Sequence, residues 1–332
     1  MPKKIPVTLA CGDYEILRAL KDGVVEPEGI ELTILTGMDS RTRHWRFIRN
    51  GEFDMAETSC CSYLVARDRG LPFNALPVFP HRRFRHGFVF INTGKGIRQP
   101  KDLTGRRIGI NNFLVTAGLW LRGILEHEYD VPHNAIEWFA ELDEEVEFTP
   151  PPGLKLTRLP HDKSVETMPA EGELDAVIES SMIKPMRDKD PRVGRLWPDF
   201  RAEEMRYYKK TGIFPIMHLF GIRQELVERH PWVPINMFQA LQTSKESKEI
   251  AMRRLNNPRI VPLAWYRDAW EEQEKLLGPD PWEYGLTERN CRTLQTLAGY
   301  SHEQGLTRRL WSPDELFLPV FQGRKRGEEL RI

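Results

Sequence analysis

Cysteine is scarce in this chain of 332 residues, which has only Cys11, Cys60, Cys61 and Cys291. No two of them form a CxxC pair, and four cysteines at this spacing are too few for a disulfide framework. A reducing compartment is the natural setting for such a chain. The first ten residues also lack the apolar run of a signal peptide, so we expect a cytoplasmic protein.

The sequence also lacks net charge and long hydrophobic runs. Its 48 basic side chains balance 48 acidic ones, whereas general nucleic-acid and membrane-surface binders show a basic excess. No apolar run approaches the roughly 18 residues that a membrane span requires. We therefore expect a soluble protein whose partner is neither a nucleic acid nor a membrane. Whether it forms a homo-oligomer is left open.

The common cofactor motifs are missing too. There is no GxGxxG and no P-loop, so a nucleotide cofactor is not supported. There is no HExxH and no acidic cluster of the EF-hand type, and the sequence predicts no cofactor and no essential metal. One metal alternative stays open, because His81 and His86 are five residues apart and His44, Glu57 or His218 could join them through the fold.

Before residue 90 the chain alternates short apolar runs with longer amphipathic stretches, which is typical of an α/β protein. The pattern predicts strands at 5–10, 30–35 and 53–56, and helices at 13–20, 40–48 and 60–69. The same alternation restarts after residue 90. A length of 332 residues is typical of two domains.

Two later segments depart from this alternation. Residues 141–152 contain five acidic residues and end in three prolines, which exclude a helix, so we expect an irregular surface excursion within the second unit. From residue 224 onward the chain is mainly helical. Helices are predicted at 235–255, 263–277 and 287–304.

Six short motifs then point to a known family. They are PVFP at 77–80, FRH at 84–86, DLTGRRIGI at 102–110, GELDA at 172–176, TGIFPIMH at 211–218 and YSHEQGL at 300–306. This combination resembles the 4,5-dihydroxyphthalate decarboxylase family, whose fold is similar to that of type II periplasmic binding proteins. The resemblance covers nearly the whole chain.

The resemblance implies a two-lobed α/β fold with a ligand cleft between the lobes. Lobe 1 would comprise residues 1–90 and 216–332, with the C-terminal helices packed on it, and lobe 2 would comprise 91–215. The implied function is that of a cytoplasmic, cofactor-independent carboxy-lyase that converts a hydroxylated aromatic diacid, 4,5-dihydroxyphthalate above all, to protocatechuate and CO2. The alternative is a non-catalytic binding protein or sensor for a small aromatic carboxylate, since a fold does not fix a function.

The densest chemical feature is the basic stretch HRRFRH at 81–86, beside an implied crossover between the lobes. Arginine presents a planar fork that matches a carboxylate bidentately. On its own the stretch could be a solvated basic turn. With the family resemblance, we expect Arg85 and His86 in the cleft and include Arg82 and Arg83 among the residues that bind an aromatic dicarboxylate.

A second anion site is predicted between a strand and a helix. Backbone N–H groups at a helix start, assisted by Asn111, Asn112 and Thr116, can hold a carboxylate, although the same residues could serve only as helix caps. The predicted substrate-binding set is completed by residues at other expected cleft positions, Asp13, Ser59 and Glu179.

The implied reaction needs a base and an acid. Each carboxyl of 4,5-dihydroxyphthalate has a hydroxyl para to it, so deprotonation of that hydroxyl drives electron density onto the ring carbon that must be protonated. Histidine suits both tasks because its pKa lies near neutrality. His86 and His218 are the candidates, with their roles unassigned, and His218 could instead be a buried structural histidine because its neighbours are apolar.

Overall fold

The computed structural model describes residues 3–253 and 263–320. Its strands are β1 (Ile5–Ala10), β2 (Ile30–Leu35), β3 (Met55–Ser59), β4 (Phe73–Arg82), β5 (Val89–Asn92), β6 (Arg107–Ile110), β7 (Glu137–Ala140), β8 (Lys155–Arg158), β9 (Ala176–Ile178), β10 (Val193–Arg195) and β11 (Ile216–Arg223). Its helices are α1 (Arg18–Lys21), α2 (Ser40–Ile48), α3 (Cys60–Asp68), α4 (Thr116–Tyr129), α5 (Met168–Glu171), α6 (Lys184–Arg187), α7 (Phe200–Thr211), α8 (Gln224–Arg229), α9 (Val233–Arg253), α10 (Tyr266–Leu277), α11 (Glu288–Glu303) and α12 (Pro313–Leu316).

The strands form two sheets. Sheet one has the order β2-β1-β3-β11-β4, and sheet two has the order β10-β5-β9-β6-β7-β8. In sheet one β1 is parallel to β2 and β3, whereas β11 runs antiparallel between β3 and β4. The chain therefore builds four strands of sheet one, then all of sheet two, and returns to insert the fifth strand.

The register of the returning strand sets three polar side chains side by side. His218 of β11 pairs with Ser59 of β3 on one side and with His81 of β4 on the other. Ser59 also caps α3, because its hydroxyl accepts a hydrogen bond from the Ser62 backbone N–H at 3.3 Å. The carboxyl end of β3 thus meets the start of β11 at one edge of sheet one.

A shared apolar core joins the two sheets. It contains buried residues of β3 and α3 together with residues of β5, β6 and α4. Within it Trp120 of α4 is fully buried, and its indole N–H donates to the backbone carbonyl of Ile216 at 2.9 Å. The indole therefore fixes α4 against the first residue of β11.

The α/β alternation and the later helices are confirmed. The third strand begins at Met55 rather than residue 53, because the Asp54 carboxylate is engaged by the backbone N–H and hydroxyl of Thr8, each at 2.8 Å. Residues 254 and 255, which the pattern places in a helix, lie outside the described residues. The lobe boundaries at 90 and 215 stay a prediction. No helix within 3–253 or 263–320 combines the length and the apolar character that crossing a membrane requires.

The expectation for 141–152 is partly wrong. The segment is irregular and lies between β7 and β8, but Glu145 and Val146 are buried, at 7% and 2% exposure. An acidic side chain can be buried where hydrogen-bond donors surround it. Hydrogen-bond donors from α3 and from the segment after β6 contact the acidic side chains of this segment. The sequence pattern of the segment itself does not show these donors.

Close packing of α4 against α11 predicts an unequal response of two glycines. A methyl group at Gly123 would overlap the ring of Tyr300, whereas one at Gly299 would meet no atom of another described element within 4 Å. Gly123→Ala should lower the free energy of unfolding by about 1–3 kcal/mol through overpacking, although alanine favours a helix. Gly299→Ala should raise it by about 0.5–1 kcal/mol. Urea unfolding checks both, and equal shifts would contradict the packing described here.

Candidate functional site

A cavity of about 300 Å³ lies between the two sheets. Sheet one contributes the starts of α2 and α3 and the strands β4 and β11, and sheet two contributes the segments that follow β6, β7 and β9. The lining residues are Ser40, Arg41, His44, Ser59, His81, Arg85, Asn111, Asn112, Val115, Thr116, Ala117, Leu142, Glu145, Ser180, Ser181, Met217 and His218. Ligands of open α/β sheets commonly bind at carboxyl ends of strands, so this cavity is the candidate site.

A buried carboxylate is hydrogen-bonded to one of the residues that line the cavity. Glu57 of β3 has no exposed surface and accepts hydrogen bonds from Tyr14 Oη at 2.6 Å, Gly12 N at 2.7 Å and Arg43 Nη2 at 2.7 Å. Its Oε1 also hydrogen-bonds to Nδ1 of His218. Burial by itself would raise the pKa of Glu57, but His218, Arg43 and Tyr14 outweigh burial and hold the pKa well below its usual range. Glu57 is therefore ionised.

The ionised carboxylate orients His218. Because Nδ1 is engaged with Glu57, Nε2 is the ring nitrogen left for a ligand. The rings of His81 and His44 pack edge-on against His218, with centroids 4.7 Å and 5.0 Å away. Burial, together with His218, lowers the pKa of His81 to about 2 and that of His44 well below its ordinary value. These two flanking rings are neutral at physiological pH.

Arg85 is a buried cation in the cavity wall, and it contacts Met217, the residue next to His218 in β11. It is 2% exposed, its Nη1 donates to the Ser180 carbonyl at 3.0 Å and its Nε to the Met217 sulfur at 2.9 Å. Within the described residues no carboxylate lies within ion-pairing distance of it. Burial and the nearby Arg83 lower the pKa of Arg85 to about 9, so it remains charged at neutral pH. A buried charge without a partner is costly, and a ligand anion would compensate it.

Thr116 and Ser59 join the two halves of the cavity wall. Their hydroxyls are hydrogen-bonded at 2.8 Å, and the Thr116 hydroxyl also accepts the backbone N–H of Cys61 at 3.0 Å. Asn111 turns away from this pair, and its amide donates to Glu179 at 2.8 Å. Of the predicted substrate-binding residues, Arg85, Asn111, Asn112, Thr116 and Ser59 line the cavity.

The predicted backbone anion site is already occupied by the chain itself. The carboxylate of Glu144 accepts the N–H groups of Phe113 at 2.6 Å and Leu114 at 3.0 Å, and the Asn112 amide at 3.1 Å. In this structure those N–H groups are therefore unavailable to a ligand carboxylate, which corrects the expectation. The acidic excursion at 141–152 supplies the anion that the sequence pattern assigns to substrate.

The structure does not bring His86 to the cavity. Its ring is fully buried against Trp197 and Tyr207, with centroids 5.1 Å and 5.4 Å away, and burial lowers its pKa to about 4. The chain turns into a short 3-10 helix at His86, so Arg85 and His86 face different sides. This position gives no support to proton transfer by His86.

Four more predicted residues lie away from the cavity lining. Arg82 is buried and hydrogen-bonded to the side chain of Asn290 in α11, so it ties β4 to that helix. Arg83 is exposed, with its guanidinium 4.2 Å from the ring centroid of Phe88. Asp13 is on the surface in an ion pair with a lysine at 2.7 Å. Glu179 does not line the cavity, but it accepts hydrogen bonds from two lining residues, the Asn111 amide at 2.8 Å and the Ser180 backbone N–H at 3.1 Å.

Sequence reasoning missed several lining residues. Arg41 is one of them, and it lies in α2 three residues before His44, which was named only as a possible metal ligand. This spacing places two side chains on one helix face, and both residues line the cavity. That spacing was a usable signal. The local sequence gives no comparable signal for Glu145 or Ser180, because each residue follows a strand in an irregular segment.

One group of side chains could hold a metal ion. Among the described residues, ligand atoms of Glu57, His81 and His218 lie within 4.8 Å of one another. Each of the two Glu57 carboxylate oxygens already accepts two hydrogen bonds, and one of these four comes from the charged Arg43. A metal would have to displace these donors, and the absence of an essential metal stays a prediction.

Comparisons with known proteins place this architecture in a class. The periplasmic aliphatic sulphonate binding protein of Escherichia coli superposes with a TM-score of 0.54 at 12% identity, over 100% of this chain and 97% of that one. Residues 15–128 match the NMT1/THI5 like family model. The fold is thus the two-lobed α/β fold of type II periplasmic binding proteins.

Curated relatives narrow the class to one family. The 4,5-dihydroxyphthalate decarboxylase of Comamonas testosteroni is 33% identical over 96% of this chain and 97% of its own length. That of Pseudomonas putida is 30% identical over 62% of this chain and 82% of its own length. The chain belongs to the 4,5-dihydroxyphthalate decarboxylase family, a family of carboxy-lyases.

The environment of Glu179 predicts a pH-dependent stability. Burial, with Glu141 and Glu166 nearby, raises the pKa of Glu179 from 4.5 to about 7. The folded protein then keeps this proton to higher pH than the unfolded chain, so stability falls as the pH rises from 4.5 to about 7, by on the order of 3 kcal/mol. Glu179→Gln stays neutral and should lose less stability over this range.

Urea unfolding at pH 5, 6 and 7.5 measures the effect. Glu173→Gln is the control, since Glu173 is exposed and paired with Lys163. Identical pH dependence in wild type and Glu179→Gln would show that the carboxyl is not protonated in the folded state.

Proposed function

We propose that this protein decarboxylates 4,5-dihydroxyphthalate, or a close relative of it, to a catechol monoacid such as protocatechuate. The observation that carries the proposal is the presence in one cavity of two groups: Arg85, a buried cation with no carboxylate partner in the described part of the chain, and His218, an oriented histidine. The two curated relatives bear the name of this activity. The reaction, the substrate and a cytoplasmic location are all part of the proposal.

Arg85 would bind the carboxylate that remains on the ring. Its fork can meet a carboxylate with two parallel N–H donors, and burial excludes the water that would otherwise weaken the pair. A second cation, Arg41, lines the same cavity, is exposed, and has no ion pair among the described residues. A dianionic ring could therefore contact one arginine at depth and one at the entrance.

Glu57 and His218 would form the base. Glu57 accepts the Nδ1–H of His218, so Nε2 is an acceptor, and the carboxylate stabilises the imidazolium that forms when Nε2 takes a proton. The proton comes from the hydroxyl para to the departing carboxylate. Tyr14 and Arg43 act on the base through Glu57, because their hydrogen bonds keep that carboxylate ionised and fixed.

The aromatic ring accepts the electron pair of the carbon–carboxylate bond that breaks. Deprotonation of the para hydroxyl and protonation of the ring carbon give a dienone whose carboxylate is a vinylogous β-keto acid. Loss of CO2 returns the electron pair to the ring and restores aromaticity. This sequence requires no organic electron sink.

The deciding assay incubates the purified protein with 4,5-dihydroxyphthalate, following protocatechuate by chromatography and CO2 by trapping. We expect stoichiometric formation of both, and the same rate after dialysis against a chelator, because the Glu57 oxygens are committed to protein donors. An inert protein, tested also on other hydroxylated benzoates, would overturn the proposal. Activity that is lost on chelation and restored by a divalent cation would assign Glu57, His81 and His218 to a metal.

Two substitutions should separate chemistry from binding. His218→Gln should lower kcat about a hundredfold to ten-thousandfold, the usual cost of losing a general base, with little change in substrate affinity. Arg85→Gln should mainly raise KM, because it removes a carboxylate contact. The controls are His127→Gln, an exposed histidine paired with Glu303, and Arg83→Gln. Melting temperatures establish that each variant folds, and normal turnover in a folded His218→Gln would refute the role of this base.

A second candidate function is a binding protein or sensor for an aromatic carboxylate. The fold of the sulphonate-binding neighbour favours it, since that fold serves ligand capture. Thermal stabilisation by an aromatic diacid that is recovered chemically unchanged would support this alternative. Product formation would exclude it.

A further inference from the structure

Glu145 is a buried carboxyl group in the cavity wall that the proposed base does not use. It is 7% exposed and accepts hydrogen bonds from the Ser62 hydroxyl at 2.9 Å and the Asn112 amide at 3.2 Å. Both donors meet Oε2, so Oε1 has no side-chain donor among the described residues. Of the residues that line the cavity in the described part of the chain, Glu145 alone carries a carboxyl group.

The surroundings of Glu145 shift its pKa upwards. No cation lies within ion-pairing distance of it in the described ranges, although Arg41 acts on it from farther away. Burial raises the pKa of Glu145, and the hydrogen bond from Ser62 opposes this only in part. Glu144 shares the Asn112 amide and adds a second carboxyl group close by.

The other carboxyl groups near the cavity are committed elsewhere. Glu57 is ionised and accepts four hydrogen bonds. Glu144 accepts two backbone N–H groups, and Glu179 is shielded behind Asn111. The cavity thus combines a carboxylate that is held ionised behind a histidine with a carboxyl group whose pKa is raised by burial. Such contrasting environments separate a base from an acid.

The two groups reach the cavity from opposite sides. His218 comes from β11 of sheet one, and Glu145 comes from the segment between β7 and β8 of sheet two. A ring bound between the sheets would therefore have the base near one end and the acid near the other. The para relation of hydroxyl and carboxylate demands this separation.

We propose that Glu145 is the general acid that protonates the ring carbon from which CO2 departs. This inference rests on the proposed decarboxylase function. His218 Nε2 takes the hydroxyl proton while the Glu145 carboxyl gives its proton to the ring carbon. The bond from that carbon to the carboxylate then breaks, its electron pair returns to the ring, and CO2 leaves. The imidazolium returns its proton to the phenolate oxygen, and water reprotonates Glu145, so one solvent proton replaces CO2.

Hydrogen exchange into the product tests this step directly. In D2O the wild-type enzyme should exchange the ring hydrogen of protocatechuate that occupies the former carboxyl position, because exchange repeats the protonation step in both directions. Glu145→Gln should lower both this exchange, followed by proton NMR, and kcat by about a hundredfold or more. Binding of phthalate, which lacks the hydroxyls needed for reaction, should change less than about threefold.

The matched control is Glu147→Gln, two residues along the same segment but exposed, which should exchange and turn over as wild type does. A folded Glu145→Gln variant with normal exchange and kcat would overturn the assignment, whereas an inert wild type would overturn the proposed function instead. If Glu145→Gln fails to fold, Glu145→Asp replaces it. Withdrawing the carboxyl by one methylene should lower kcat at least tenfold at unchanged phthalate affinity, and an unchanged kcat would equally refute the acid.

Discussion

The ionised carboxylate of Glu57, enclosed within sheet one, is the constraint on which the site depends. A carboxylate without exposed surface is tolerable only when donors surround it, and those donors come from the segment after β1, from α2 and from β11. The charge therefore fixes where three separate parts of the chain meet. The orientation of His218 follows from it, because Glu57 engages one ring nitrogen and leaves the other to the cavity.

Two other buried groups of the cavity have no partner of opposite charge among the described residues. Arg85 is a buried cation and Glu145 is a buried carboxyl group, and the two line the same space. Each arrangement lowers the stability of the empty protein, and each is relieved by a ligand that brings the missing charge or accepts the proton. Active sites commonly retain such local instability because function requires it.

A local sequence pattern predicted Thr116, because this residue lies where a strand is followed by a helix. Arg85 and His218 were expected in the cleft from the family resemblance, and all three residues line the cavity. Glu145 was missed because its burial depends on donors from α3 and from the segment after β6, which no local pattern contains. His86 was expected beside Arg85, but the chain turns between them and sends the two side chains to different sides.

The late insertion of β11 has a consequence for biosynthesis. Until residues 216–223 leave the ribosome, β3 and β4 cannot be bridged, and both present unpaired edges of the kind that recruit foreign strands. Sheet two, whose strands all lie between residues 89 and 195, can pair completely before that moment. Sheet one therefore stays incomplete in the nascent chain while sheet two forms. Slow elongation between residues 89 and 223 would prolong the exposure of the unpaired strand edges and so favour aggregation.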